Sequence, residues 1–226
     1  MTSTVLGRRE SKKLETREHL VESAVKLFTE RGYQATTVAD IAIHAGVAPR
    51  TFFGYFPTKE AVLFWPLDVL ATDLEQALAT APEDALTTLR GWARRHANWI
   101  TTDFREHREL IERASLDNHP VAIAGLAFIQ RLATAVGTRL RVDLGSTADD
   151  VMPDMAAAAV VAAITAAFPV AVSNRGEGPA GARARRLLDD LDTAIRFTRA
   201  GLEATRPTLA LQPASVQLSQ PSLSNR

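Results

Sequence analysis

Apolar residues recur at helical spacing along almost the whole of this chain, and nowhere do they alternate as a strand requires. The tightest instance lies between residues 35 and 60. There Val38, Ile41, Ala42 and Ala45 fall at i, i+3, i+4 and i+7, one face of a helix. Thr37 ahead of them is a good N-cap, with Asp40 as the far end of a weak capping box. Gly46 ends the helix, because the reversal needs left-handed backbone that glycine adopts without Cβ strain. Val47 plugs the turn. Pro49 suits the first position of a second short helix, where its missing N–H has no intrahelical partner to lose. Phe52, Phe53 and Phe56 give that helix an apolar side, and Pro57 stops it. Two short helices across a glycine turn make a helix-turn-helix.

The flanking pattern predicts further helices. Val21, Ala24, Val25 and Phe28 form the core stripe of a long helix over residues 11–31, closed by Gly32. Tyr33 behind it is read as core in preference to a phosphate-facing hydroxyl. Thr58 caps a helix running from Lys59 toward Ala79, with a kink or break expected near Phe64 and Trp65 because of Pro66. Helices follow over 82–103, 105–117 and 120–142, the last stopped by Gly145. Thr147 leads into the most apolar stretch, residues 155–172. Its 18 residues reach membrane-span length, but alanine dominates and Pro169 lies near its end, so a buried small-residue helix is expected instead. After a glycine-rich loop over 174–181, Ala184, Leu187, Leu188, Leu191, Ile195, Thr198 and Leu202 mark a final helix over 182–204. The remainder, with Pro207, Pro213 and Pro221 among Ser and Gln, reads as a disordered tail.

Composition changes this picture little. The 226 residues are 46% hydrophobic and 23% charged, ordinary for a globular protein. The 26 basic and 26 acidic residues cancel, so any nucleic-acid attraction must be local. One such place is the start of the chain. Arg8, Arg9, Lys12 and Lys13 face a single carboxylate, Glu10, and residues 1–10 read as a disordered basic arm, either lying along DNA or simply solvated. There is no cysteine, which excludes disulfides and thiolate chemistry and is compatible with a reducing cytoplasm. The N-terminus has no apolar signal-like run. His19, His44, His96, His107 and His119 show no metal-ligand spacing, and no nucleophile elbow, P-loop or dinucleotide loop is present. No catalysis, cofactor or metal is expected.

Arg50 and Lys59 change the picture more. Each is a cation in the first turn of a helix, facing the positive end of the dipole at a cost of roughly 0.3–1 kcal/mol. The repetition makes sense if an outside anion, such as phosphate, meets both helix starts. The alternative is two solvated basic side chains.

Residues 17–60 resemble the DNA-binding head of the tetracycline-repressor (TetR) family. The resemblance rests on Arg17, Ala24 and Phe28, on Gly32-Tyr33, Thr36-Thr37-Val38 and Ile41-Ala42, and on Ala45-Gly46-Val47, Thr51, Tyr55-Phe56 and Lys59-Glu60. It implies an all-α protein: an N-terminal three-helix helix-turn-helix head over 11–57, then a C-terminal helical ligand-binding and dimerisation domain over 58–204, with the tail over 205–226. It also implies a homodimer acting on a double-stranded, palindromic DNA operator, most simply as a ligand-responsive repressor. By position, Ala48, Pro49, Arg50 and Thr51 would lie nearest the bases, while Thr37, Tyr55 and Lys59 would hold phosphates. Arg50 is equally suited to guanine and to phosphate. Two positions depart from the family: Phe53 stands where a tyrosine is usual, and Ala48 where a Ser or Thr cap is usual.

The family's dimer interface lies on its last two helices, which the stripe from Ala184 to Leu202 fits, as it also fits an intrachain core. An effector pocket among the middle helices would draw on Trp65, His96, Trp99, Phe128 and Phe168, its ligand small and largely apolar. Trp92, His96 and Trp99 share a helical face, although such a stripe is more often ordinary core. An all-α small-molecule-binding or interaction protein without DNA function is the competing reading.

Overall fold

A computed structural model of the chain describes residues 7–172 and 180–205, with the side chains of 166–172 and 180 outside the description. The described residues are all-α, with nine helices: α1 Arg8–Arg31, α2 Val38–His44, α3 Pro49–Phe52, α4 Lys59–Thr80, α5 Ala85–Thr101, α6 Arg105–Asp117, α7 His119–Leu144, α8 Met152–Val172 and α9 Ala180–Thr205. The glycine-rich stretch 173–179, the tail beyond 205 and the first six residues lie outside them.

The local chemistry sets these boundaries. Thr37 caps α2 in a reciprocal box: its hydroxyl accepts from the Asp40 N–H at 3.1 Å, and the Asp40 carboxylate accepts from the Thr37 N–H at 2.8 Å. Gly46 has φ +71°, the left-handed backbone that the turn requires. α1 begins earlier than its apolar stripe indicates. Arg8 and Arg9 belong to its first turn, where the Glu10 carboxylate accepts from the Gly7 N–H, so the basic residues ride on an exposed helix. Asp84, not Pro82 or Glu83, caps α5 by accepting from the N–H groups of Leu86 and Thr87. Asp150 similarly accepts from the Met152 N–H at the start of α8.

Pro66 does not break α4, which runs on from Lys59 to Thr80. The proline removes the N–H that the Val62 carbonyl would otherwise take. One residue further on, the Leu63 carbonyl accepts from Nε2 of His107, a buried side chain on α6. A tertiary donor thus reinforces the helix beside its proline.

Two apolar cores are stacked along α4. The first gathers Leu20, Phe28, Ile41, Phe52 and Phe56 of the head, and continues into Val62, Leu63 and Phe64 of α4, Leu110 of α6 and Val121 of α7. The second joins Leu70, Leu74 and Leu78 of α4 to α5, α7, α8 and α9. α8 lies between α7 and α9, where its small residues permit a close crossing. A Cβ at Gly137 of α7 would stand 2.9 Å from the Asp154 carboxylate and 3.4 Å from the Ala157 Cβ.

The α9 stripe turns inward. Leu187, Leu191, Ala194, Ile195 and Thr198 are buried within one chain, which leaves the opposite face of α9 to solvent. Among the described residues, the helix long and apolar enough to cross a membrane is α7. α7 nevertheless packs as a body helix. Its Arg131 forms a bidentate pair with Glu75 of α4 at 2.7 and 2.8 Å and reaches Asp68 at 3.3 Å. α5 and α9 are tied by Arg90–Asp192 and Arg199–Asp84. Burial works against the charge on Asp84, but hydrogen bonds from Arg199 and Thr87 outweigh it and hold this carboxyl at about 2.

Candidate nucleic-acid interface and effector cavity

The turn between α2 and α3 is fixed by backbone bonds from the Gly46 N–H to the Ile43 carbonyl and from the Val47 N–H to the Ala42 carbonyl. Phe52 is fully buried beneath α3. Above it Ala48, Pro49 and Arg50 are exposed and Thr51 is half-buried. No hydrogen bond or ion pair from the described residues engages the Arg50 side chain. Thr37 is exposed at the start of α2, and Tyr55 is half-buried after α3.

Phe53 is not part of the core. Its ring is 59% exposed and meets Phe52 edge-on at 5.6 Å. Ile43 of α2 is 68% exposed and was not singled out in the sequence as a surface contact. The signal was available, since Ile43 falls off the stripe of Val38, Ile41, Ala42 and Ala45.

Lys59 is where the sequence expectation needs correcting. Its ammonium turns inward, donating to the carbonyls of Tyr33 at 2.7 Å and Thr36 at 2.9 Å while lying 4.0 Å from the Tyr33 ring centroid. Burial pushes its pKa below the ordinary lysine range. The helix-start cation therefore fastens the loop between α1 and α2 to α4, because two carbonyls and an aromatic face already surround it. The Tyr33 hydroxyl donates to Glu60 at 2.5 Å, and burial with that carboxylate raises the phenol's pKa. Arg17 completes the bracing: it donates to the Tyr55 carbonyl at 3.1 Å and lies over the Phe56 ring.

In the body, α4 to α9 enclose a cavity of about 250 Å³, with Phe64, Leu74, Trp92, Phe104 and Phe128 in its wall. Of the residues expected there, Phe128 lines it. Trp65, His96 and Trp99 do not. Trp65 faces a shallow groove on α4 beside Asp68 and Val69. His96 is drawn aside by Asp73, its Nε2 2.9 Å from the carboxylate. Trp99 lies behind the wall, stacked on Phe104 at 5.1 Å. The Phe168 side chain lies outside the described residues. Trp92, which shares the His96 face, is the aromatic residue of α5 that reaches the cavity. A larger groove of about 720 Å³ between α4 and α7 is open and edged by Arg131 and Arg139.

Comparison with known proteins agrees with this architecture. Residues 20–64 match the family model described as bacterial regulatory proteins, tetR family. Over 87 residues the chain is 38% identical to the HTH-type transcriptional regulator TcmR of Streptomyces glaucescens, covering 38% of each chain. It is 32% identical over 130 residues to the HTH-type transcriptional repressor Rv3405c of Mycobacterium tuberculosis, covering 56% of this chain and 62% of that one. These matches thus span about two-fifths to three-fifths of the relatives' length. In fold, the chain resembles the Stenotrophomonas maltophilia repressor SmeT in its triclosan complex, with TM-score 0.59 at 22% identity over 92% of this chain and all of that one. The match to the tetR family model thus falls on the helix-turn-helix head at residues 20–64, with an all-α body behind it that resembles SmeT in fold.

Proposed function

We propose that this chain is a DNA-binding transcriptional regulator, a repressor that works as a homodimer on a palindromic operator and is released by a small apolar effector. The observation that carries the reading is the outward face of α3, where Arg50 stands exposed among Ala48, Pro49 and Phe53 over a rigid apolar base. A guanidinium presented without an internal partner suits a guanine edge or a phosphate. Phe53 and Ile43 supply apolar surface for thymine methyls or sugars, while Thr37 and Tyr55 remain candidates for phosphate oxygens. Lys59 acts one step back, holding the start of α4 against the head.

Two heads on one duplex require two chains, since a two-fold dimer reads two half-sites about 34–36 Å apart. Met155, Ala158, Ala159 and Ala162 of α8 and Phe197 of α9 remain exposed on the outward faces of the last two helices, and a symmetry-related pair would bury them. The cavity would hold the effector; SmeT, which shares the fold, is described in complex with triclosan. α4 touches both places, so an effector that favours a head spacing unfit for DNA would lower affinity by population shift.

A gel shift of the purified protein on the DNA upstream of its own gene tests the reading. A salt-sensitive complex that depends on an inverted repeat supports it. Failure to distinguish that DNA from random duplex, at any salt concentration, would overturn it.

A further inference from the structure

Trp92 is 7% exposed and lines the cavity, yet its indole N–H finds no acceptor among the described residues. A buried donor left unpaired is costly, and a partner arriving from outside would recover that cost.

The other polar side chains of the wall are committed elsewhere. Arg108 and Glu112 form an ion pair with each other across one turn of α6. Thr165 gives its hydroxyl hydrogen to the carbonyls of Val161 and Ala162, each at 3.0 Å. An anionic ligand would compete with Glu112 for the Arg108 guanidinium, and a cationic one with Arg108 for the Glu112 carboxylate, whereas a neutral one leaves the pair undisturbed. The rest of the wall is aliphatic and aromatic, with Phe64, Phe104 and Phe128 offering ring faces and edges. A volume of about 250 Å³ lies just under the usual range of ligand pockets, about 300–1,000 Å³.

We infer that the effector is a small neutral aromatic molecule of two or three fused rings carrying a carbonyl oxygen that accepts a hydrogen bond from the Trp92 indole N–H. This rests on the cavity being the effector site and adds to it the chemical class of the ligand and the residue that selects it. Trp92 acts as a specificity-determining residue: the apolar wall binds the ring system, and the indole distinguishes a ketone from its parent hydrocarbon.

Fluorene and 9-fluorenone share a skeleton and differ by one carbonyl, so calorimetric titration of both into the full chain and into Trp92→Phe isolates the contact. The ratio of fluorenone to fluorene affinity is expected to fall about fivefold in Trp92→Phe, whatever the loss of wall surface does to both. An unchanged ratio, with both compounds still binding, would overturn the Trp92 assignment and leave the cavity reading standing. If neither compound binds the unaltered chain, the cavity reading fails and takes this inference with it. Should Trp92→Phe fail to fold, the ¹⁵N-labelled unaltered chain gives the answer. Its three indole N–H signals, from Trp65, Trp92 and Trp99, are separated with Trp65→Phe and Trp99→Phe. Fluorenone must then move the Trp92 signal far more than fluorene does, and equal movement overturns the assignment.

Discussion

At the scale of single residues, the two cations of the head are not equivalent. Arg50 is exposed and serves no partner among the described residues, so Arg50→Ala should leave thermal stability within about 0.5 kcal/mol. In binding assays on operator variants the same change should relax choice at one base pair, or, if the contact is to phosphate, weaken every sequence alike and reduce the salt slope by about one. Lys59→Met should do the reverse. It removes a charged donor from the carbonyls of Tyr33 and Thr36, a loss of about 1–2 kcal/mol once partial exposure is allowed for, read as a lower melting temperature. Its salt slope should stay unchanged, and a slope reduced by about one would restore Lys59 to the phosphate contacts. The sequence alone could not separate this pair. Both stand in the first turn of a helix, and only the fold reveals that two carbonyls and the Tyr33 ring converge on Lys59.

At the scale of elements, α4 and α6 meet at a contact that titrates. His107 is buried and its ring donates to the Leu63 carbonyl, and burial pushes its pKa below that of a free histidine. The folded chain therefore resists protonation there while the unfolded chain takes up a proton near pH 6.5, so this contribution to stability is full above that pH and is lost as the pH falls below it. Melting curves of the unaltered chain should show a fall between pH 7.5 and 5.5 that is smaller in His107→Gln, which keeps a donor but cannot titrate. Asp84, held near 2, titrates well below this window and is not a competing source of the effect. Equal slopes in the two proteins would show that His107 does not titrate as its burial implies.

Element positions were largely legible from apolar spacing, capping residues and the Gly46 turn. The continuity of α4 was not, because Pro66 argues locally for a break and the His107 donor to the neighbouring Leu63 carbonyl comes from 44 residues away. The cavity wall was legible only in part. Trp92, His96 and Trp99 share a face in the sequence, yet Asp73 of α4 takes the histidine and Phe104 takes Trp99, leaving Trp92 to the cavity.

At the scale of the whole molecule, the inward faces of the last two helices serve folding, and the proposed dimer would assign pairing to the outward ones. Leu187, Leu191 and Ile195 are spent inside one chain, so changing them should unfold it. Phe197 is 76% exposed, so Phe197→Glu should leave each chain folded with little change in helicity. If these faces pair as proposed, sedimentation should report dimers for the unaltered chain and monomers for the variant, and affinity for an inverted repeat should fall toward that for a single half-site. Persistence of the dimer in Phe197→Glu would place the pairing surface elsewhere.

The sharing of one helix by both cores also limits how the molecule can be taken apart. A fragment ended at residue 57 would lose Val62, Leu63 and Phe64 from the middle of the head's apolar packing, along with the cover given by Leu110 and Val121. Such a piece should give the circular dichroism of a largely unfolded chain. For anyone grafting this reader onto a foreign sensor, the transferable unit is consequently not a contiguous N-terminal segment. A working hybrid must bring along the first two turns of α4 and rebuild, on the recipient, the apolar patch that α6 and α7 supply.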